Sequence, residues 1–132
     1  MNDILAGKTD GLLAVIGSGG AMTLDQPFSQ EIYLTSFHVA GTFYAENIKE
    51  HSMALRPGDQ VVLFREPENE HDVYATLIKD AQGHKLGYMP AKMNHMPARL
   101  MDAGKLLYCK VIEVAESESG YIDIHLGMYL KD

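Results

Sequence analysis

The residues of this chain best suited to chemistry are concentrated in one segment, Arg65–Asp72, which reads Arg-Glu-Pro-Glu-Asn-Glu-His-Asp. The segment holds a guanidinium, four carboxylates, an amide and an imidazole, which are groups that bind polar ligands or transfer protons. A turn between two strands needs none of this charge. Because loops positioned by a rigid sheet often carry function, this segment is the first candidate site.

Acid-base catalysis by the carboxylates of this segment is one use of such chemistry. No nucleophile or metal constellation accompanies them, however, and alternating carboxylates are common on solvated loops. The chain has six histidines: His38, His51, His71, His84, His95 and His125. None is paired with another residue at zinc-ligand spacing, and a single cysteine cannot build a structural zinc site. We therefore expect a protein that is not an enzyme, with no catalytic residue, metal or cofactor.

Two further motifs favour structural interpretations. The run Gly17-Ser18-Gly19-Gly20 lacks the Lys-Ser/Thr of a phosphate loop, and Met22 stands where a dinucleotide fingerprint needs a glycine. Cys109 is the single cysteine, so no intrachain disulfide forms. It lies within the apolar run 106–112, which predicts a buried structural thiol.

Composition and charge exclude several classes of protein. At 132 residues, with 46% hydrophobic and 22% charged residues, the chain has the length and composition of one globular domain. It has no apolar run long enough for a membrane span and no recognisable export signal, so we expect a cytoplasmic protein. A net charge of −7 argues against coating duplex DNA, although the region 92–110 is locally basic and suits an anion-binding face.

The elements that must position the charged segment are mostly strands. Alternating apolar and polar residues near 31–39, rich in β-branched and aromatic types, predict a strand, and short runs bounded by turns predict strands near 60–65, 73–79, 84–89, 105–114 and 121–130. Helices are predicted over 46–55, with Ile48, Met53 and Leu55 on the buried side, and from Pro90 to about Ala103, interrupted at Pro97. The fold class is therefore mainly β (α+β), with about six strands in a small barrel or strongly curved sheet and one or two helical insertions.

The N-terminal part of the chain has a different character. Residues 1–16 have the pattern of a short amphipathic helix, and the glycine-rich run at 17–20 follows it. We predict an N-terminal helical or flexible appendage over 1–30 and a barrel domain over 31–132.

Several short motifs in a fixed order resemble the HIRAN domain family, and most closely its stand-alone bacterial form. The matching pieces are Val39–Tyr44, Pro57–Asp59, Arg65–Asp72 with Ala75, Leu86–Pro90 and Arg99–Lys105. They cover about three quarters of the chain. The resemblance implies an OB-like β-barrel that binds single-stranded DNA at its 3′ end, as in eukaryotic fork-remodelling translocases.

The resemblance also implies site residues. The nucleic-acid-binding residues that it and the local motifs indicate are Phe43, Tyr44, Arg65, His71, Asp72, Tyr88 and Lys92. Phe43 falls on the family's first stacking aromatic, Arg65 on its loop arginine, and Asp72 on the aspartate that takes the 3′ hydroxyl. His71 replaces a second stacking tyrosine, and Tyr88 replaces a histidine. Two further departures are Glu68, in place of an asparagine, and Ala91, in place of a lysine.

Two functions follow for such a domain. The first is a non-catalytic module for single-stranded DNA or 3′-hydroxyl DNA ends in repair or replication, working with a separate helicase, translocase or nuclease. The alternative is a protein-interaction or adaptor domain that kept the barrel and lost the DNA pocket. On that alternative Asp72 and Asn69 cap the loop, and Arg65 pairs with Glu66 or Asp72.

Overall fold

Six strands dominate the part of the chain that the computed structural model describes, residues 30–131. They are β1 (Glu31–His38), β2 (Gln60–Arg65), β3 (Thr76–Lys79), β4 (Lys85–Tyr88), β5 (Leu106–Glu116) and β6 (Ile122–Lys131). The predicted mainly β class and the predicted strands are confirmed. The third strand begins three residues later than predicted, because the backbone N–H of Ala75 bonds to the carbonyl of Asp72 and closes a turn there.

The strands form one strongly curved sheet in the order β1-β6-β5-β2-β3-β4. The pairs β2–β3, β3–β4, β2–β5 and β5–β6 are antiparallel. The two ends of this order approach each other just beyond β1, where Ala40 and Tyr88 exchange two backbone hydrogen bonds of 2.8 Å. The sheet is therefore barrel-like, and among residues 30–131 the Ala40–Tyr88 bridge connects the segment after β1 to β4.

The core follows the period-2 pattern of the strands. In β2, Val61 and Leu63 are buried, whereas Val62 and Phe64 on the opposite face are exposed. Buried residues from β1 to β6 form one cluster that includes Ile78, Leu86 and Leu126. Removing this apolar surface from water is the main stabilising contribution to such a barrel.

Cys109 lies inside this core with no exposed surface, as predicted. Burial raises the pKa of its thiol to about 12. Because the thiolate is the reactive form, we expect Cys109 of the native protein to resist a disulfide reagent at pH 8 and to react at once in urea. The single cysteine makes the absorbance of the released thiol a direct measure. Rapid reaction without urea would contradict a closed core.

Within residues 30–131, two α-helices and two 3₁₀ turns accompany the strands. Helix α1 spans Ile48–Met53, and helix α2 spans His95–Asp102. The prediction that Met53 is buried was wrong, since its side chain is 66% exposed. Ser52, four residues after Ile48, shares the inward face of α1 and is buried instead.

The second helical region is split as expected, but at a different residue. A 3₁₀ turn at Ala91–Met93 precedes α2, and Pro97 falls in the first turn of α2, where no backbone N–H is required. Gly104, at φ +93°, ends the helix. The backbone N–H groups of Gly104 and Lys105 bond to the carbonyls of Met101 and Leu100, which is a Schellman motif.

The N-terminal appendage is predicted over residues 1–30, of which 1–29 lie outside the described residues, and both it and its boundary stay predictions. None of the helices found in residues 30–131 has the length and apolar character needed to cross a bilayer.

Candidate nucleic-acid interface

Phe43 and Tyr44 project from a 3₁₀ turn, Thr42–Tyr44, that follows β1. Gly41 precedes it at φ +72°, a conformation that glycine adopts without strain. The buried Thr42 fixes the turn by donating a 2.7 Å hydrogen bond from Oγ1 to the carbonyl of Ile122. The two rings meet edge to face and are 76% and 84% exposed. A turn anchored by a buried hydrogen bond thus presents two aromatic residues to solvent.

Arg65, at the end of β2, lies on the inner side of the charged loop, and its side chain is only 12% exposed. Its guanidinium donates two hydrogen bonds to the carboxylate of Asp102, at 2.9 and 3.1 Å. It donates two more to the carbonyls of Ala75 and Val73, at 2.6 and 2.8 Å. These bonds use most of its five N–H donors. Arg65 therefore ties the end of α2 to the far end of the loop.

The ion-pair partner of Arg65 differs from the sequence-based alternatives, Glu66 and Asp72. It is Asp102, 37 residues further along the chain. The hydrogen bonds from Arg65 lower the pKa of Asp102, against a smaller opposing effect of burial. A pairing at this separation depends on α2 packing on β5, next to β2 in the sheet, which no local pattern predicts.

Asp72 is half-buried, and both of its carboxylate oxygens accept hydrogen bonds. Oδ2 accepts from the side-chain amide of Asn94 and Oδ1 from the backbone N–H of Tyr74, each at 2.9 Å. These two bonds, with the charge of Arg65, hold the pKa of Asp72 below its usual value, although burial opposes them. The side chain of Asn69 caps the loop in turn, accepting from the backbone N–H groups of His71 and Asp72.

Tyr88 joins the same network from β4. Its hydroxyl donates a 2.9 Å hydrogen bond to Oε1 of Glu66, which also accepts from the amide of Asn69. Burial and the neighbouring Glu66 raise the pKa of Tyr88. The ammonium group of Lys85 lies 4.9 Å from the centre of the Tyr88 ring. The charged loop is thus linked by direct contacts to β4, and through Asn94 to the start of α2.

The structure brings together some of the predicted residues more closely than others. Arg65, Asp72 and Tyr88 belong to one hydrogen-bonded network, and His71 is exposed at its edge. Lys92 is exposed on the turn before Asn94. Among residues 30–131, no side-chain hydrogen bond or ring contact joins Phe43 or Tyr44 to this network. They follow Ala40 by three and four residues, and the backbone of Ala40 pairs with that of Tyr88.

Two concave surfaces are each bordered by a residue that contacts Tyr88, Lys85 in one and Glu66 in the other. Tyr44 borders a cavity of 460 Å³ together with Glu46, Asn47, His51, His84 and Lys85. A second hollow of the same volume is bordered by Glu66, Pro67, Glu68 and Asn69. The sequence also predicts that six residues line one surface pocket with Lys92 near its rim, and this stays a prediction; the six are Phe43, Tyr44, Arg65, His71, Asp72 and Tyr88.

Four residues that shape the site are absent from the predicted set of binding residues: Glu66, Asn69, Asn94 and Asp102. Only Asn69 had a local signal, because an asparagine two or three residues before the bonded N–H groups is typical of a capped turn. Asn94 had no such signal, although it is almost wholly buried and bonds to a carboxylate 22 residues away.

Comparison with known proteins places these features in a family context. The family model for the HIRAN domain matches residues 32–131. No curated protein sequence matches the chain.

Among solved structures, a protein from Lactobacillus plantarum is 29% identical with a TM-score of 0.72, covering 79% of this chain and 98% of that one. The crystal structure of the HIRAN domain of human HLTF is 19% identical, with a TM-score of 0.59, and 76% of this chain aligns with 78% of that domain. At 19% identity the human domain shares the fold, and no site residue is carried over from it.

Proposed function

Because the chain belongs to the HIRAN domain family, as its motifs predicted, we propose that it is a non-catalytic module that binds single-stranded DNA or DNA 3′ ends. Its context would be DNA repair or replication in the cytoplasm, beside a separate helicase, translocase or nuclease. Nucleic-acid binding is the general part of this proposal, and recognition of a 3′ hydroxyl is its specific part.

The exposed aromatic pair is the observation that carries the proposal. Large aromatic side chains are normally buried, yet Phe43 and Tyr44 leave 76% and 84% of their surface in water. The hydrogen bond of Thr42 anchors the turn that presents them, so little order need be gained on binding. Unpaired bases stack on such rings at about 1–3 kcal/mol per base.

Asp72 supplies the chemistry for choosing between DNA ends. Its lowered pKa keeps the carboxylate charged at neutral pH. A carboxylate with two hydrogen bonds made retains acceptor capacity for a third, such as one from a 3′ hydroxyl. The same charge repels a 3′ phosphate. Lys92, on the turn before Asn94, and Lys85, over the ring of Tyr88, are exposed cations that would meet the backbone of the strand.

Arg65 has a different role in this proposal from the one expected from sequence. Its donors are turned toward Asp102 and two backbone carbonyls, so we assign it to positioning the loop rather than to a phosphate. On this basis the salt dependence of DNA binding should be set by the exposed lysines.

The decisive measurement is fluorescence anisotropy of a short labelled strand with a 3′ hydroxyl, compared with the same strand carrying a 3′ phosphate. We expect the wild-type protein to prefer the hydroxyl end, with affinity falling as salt rises. Asp72→Ala should weaken binding to the hydroxyl strand by roughly ten- to a hundredfold and remove the preference, because a hydrogen bond to a charged group is lost. Equal affinity of the wild type for both ends would remove Asp72 from recognition.

The aromatic pair is tested in the same assay. Phe43→Ala and Tyr44→Ala should each weaken binding to both strands by roughly tenfold, since stacking does not depend on the end group. Tyr33→Ala is the matched control, because Tyr33 is an exposed aromatic residue on β1, at 55%. A loss in the control as large as that in the two variants would contradict a local stacking site.

One observation favours the adaptor function as the alternative. Glu66, Glu68 and Asn69 border the hollow beside Tyr88, and the chain carries a net charge of −7. An acidic concave surface suits a basic protein partner better than a phosphate backbone. Absence of binding to either strand at low salt would support this alternative.

A further inference from the structure

Three potential metal ligands meet on the side of the barrel where α1 faces the β3–β4 turn. Among residues 30–131, one group of three brings donor atoms within 4.8 Å of one another, and it consists of His51, Asp80 and His84. His51 comes from α1, whereas Asp80 and His84 bracket the turn between β3 and β4. The group is distinct from the network around Arg65 and Asp72.

Asp80 is pre-oriented for a ligand by its own turn. Its Oδ1 atom accepts the backbone N–H groups of Gln82 and His84, at 2.9 and 2.8 Å. Its Oδ2 atom lies 2.9 Å from Nδ1 of His84. One oxygen therefore holds the carboxylate in place while the other faces an imidazole nitrogen.

This spacing is close to what a tetrahedral metal needs. Two ligand atoms at about 2.0–2.1 Å from Zn²⁺, at a tetrahedral angle, are separated by roughly 3.3 Å. The Oδ2–Nδ1 distance of 2.9 Å requires only a small opening to admit the ion in place of the shared proton. The metal would then bridge two residues whose backbone positions the turn already fixes.

His51 supplies the third ligand after a side-chain rotation. Its ring now stacks on that of His84, with centroids 3.8 Å apart and planes within 11°. Stacked rings direct their nitrogen lone pairs in parallel planes, so the rings must tilt to meet one ion. His51 is half-buried, and both His51 and His84 border the 460 Å³ cavity. This cavity leaves room for the rotation of His51 and for a water ligand.

We propose that His51, Asp80 and His84 form a binding site for one Zn²⁺ ion, with water as the fourth ligand. Two imidazoles and one carboxylate are a ligand set that suits Zn²⁺, and the open fourth position is typical of sites that are not purely structural. The bound ion would link α1 to the β3–β4 turn. The site stands independently of DNA binding.

The test is calorimetric titration of the full chain with Zn²⁺ at pH 7.5, after treatment with a chelator and its removal. We expect one ion per chain and a rise in melting temperature when Zn²⁺ is added. His51→Ala and His84→Ala should each weaken Zn²⁺ binding by at least tenfold and abolish that rise. Asp80→Asn should also weaken binding, and melting in the presence of a chelator shows whether each variant is folded.

The chain offers a matched control on another part of the sheet. His38 and His125 are also stacked, at 4.3 Å and 6°, and Nδ1 of His38 lies 2.9 Å from the carboxylate of Asp123. This second pair has the same residue types, but its donor atoms do not form a group within 4.8 Å. The double variant His38→Ala/His125→Ala should bind Zn²⁺ as the wild type does.

Three outcomes would overturn the proposal. The first is a wild-type chain that takes up no Zn²⁺. The second is that His51→Ala and His84→Ala variants, shown by melting in the presence of a chelator to be folded, bind Zn²⁺ as tightly as the wild type. The third is a control variant that loses as much affinity as they do, which would show diffuse binding by surface histidines.

Discussion

Gly87→Ala is expected to lower the free energy of unfolding by about 3–5 kcal/mol, a large share of the 5–15 kcal/mol that stabilises a typical domain. Gly87 is buried in β4 at φ +152°, where a side chain is strained. A Cβ atom there would lie 2.5 Å from the carbonyl oxygen of Ala40 and 2.6 Å from Cγ1 of Val39. That carbonyl accepts the hydrogen bond from Tyr88 that joins the outer strands, so the methyl group would force them apart.

The measurement is urea unfolding of the two proteins, with Gly83→Ala as the matched control. Gly83 has φ +93°, but a Cβ atom there would meet nothing within 4 Å. Its substitution should therefore cost only backbone strain, about 1–2 kcal/mol. Equal losses of stability in the two variants would mean that the expected clash of the methyl group introduced at Gly87 with Val39 and Ala40 costs nothing.

Arg65→Ala is expected to lower the free energy of unfolding by roughly 3 kcal/mol. The nearly buried guanidinium donates to the carbonyls of Ala75 and Val73, and hydrogen bonds to a charged group are worth about 1.5–3 kcal/mol each without being fully additive. The substitution also removes the ion pair with Asp102. Salt screens that part of the loss of stability, because half of the Asp102 side chain is exposed.

Two variants separate geometry from charge in the same unfolding assay. Arg65→Lys keeps the positive charge but cannot make the forked contact with Asp102, so it should recover only part of the loss. Arg99→Ala removes an exposed arginine from α2 and should change stability by less than about 0.5 kcal/mol. Full recovery by lysine would mean that charge alone, and not the fork, stabilises the loop.

Features that depend on near neighbours in the chain could be predicted from the sequence. The apolar run Val61–Phe64, which follows a turn, predicted a strand. The structure then buries Val61 and Leu63 on one face, because side chains in a strand alternate between two faces. Gly104 specified the end of α2, because few other residues adopt a positive φ without strain. The apolar run around Cys109 predicted that its thiol is buried, because an apolar run of this kind is typical of a core strand.

The order and spacing of short motifs predicted the family, and the charged segment was correctly singled out as an unusual loop. Its internal caps were also foreseen, since Asn69 and Asp72 bond to backbone groups two or three residues away. What those side chains do for a ligand was not determined at this level, because a carboxylate that caps a turn and one that binds a hydroxyl have the same local sequence.

Contacts between distant segments were decided only by the tertiary structure. Arg65 meets Asp102 because α2 packs on β5, the neighbour of β2 in the sheet, and Asp72 meets Asn94 at the start of the same helix. His51 reaches His84 because the curvature of the sheet carries the β3–β4 turn to α1. The two residues of each pair are 22 or more positions apart in the sequence. No periodic pattern in the chain between them predicts that they will be in contact. Side-chain types and local spacing fix the elements, whereas the partner of each polar group depends on how those elements pack.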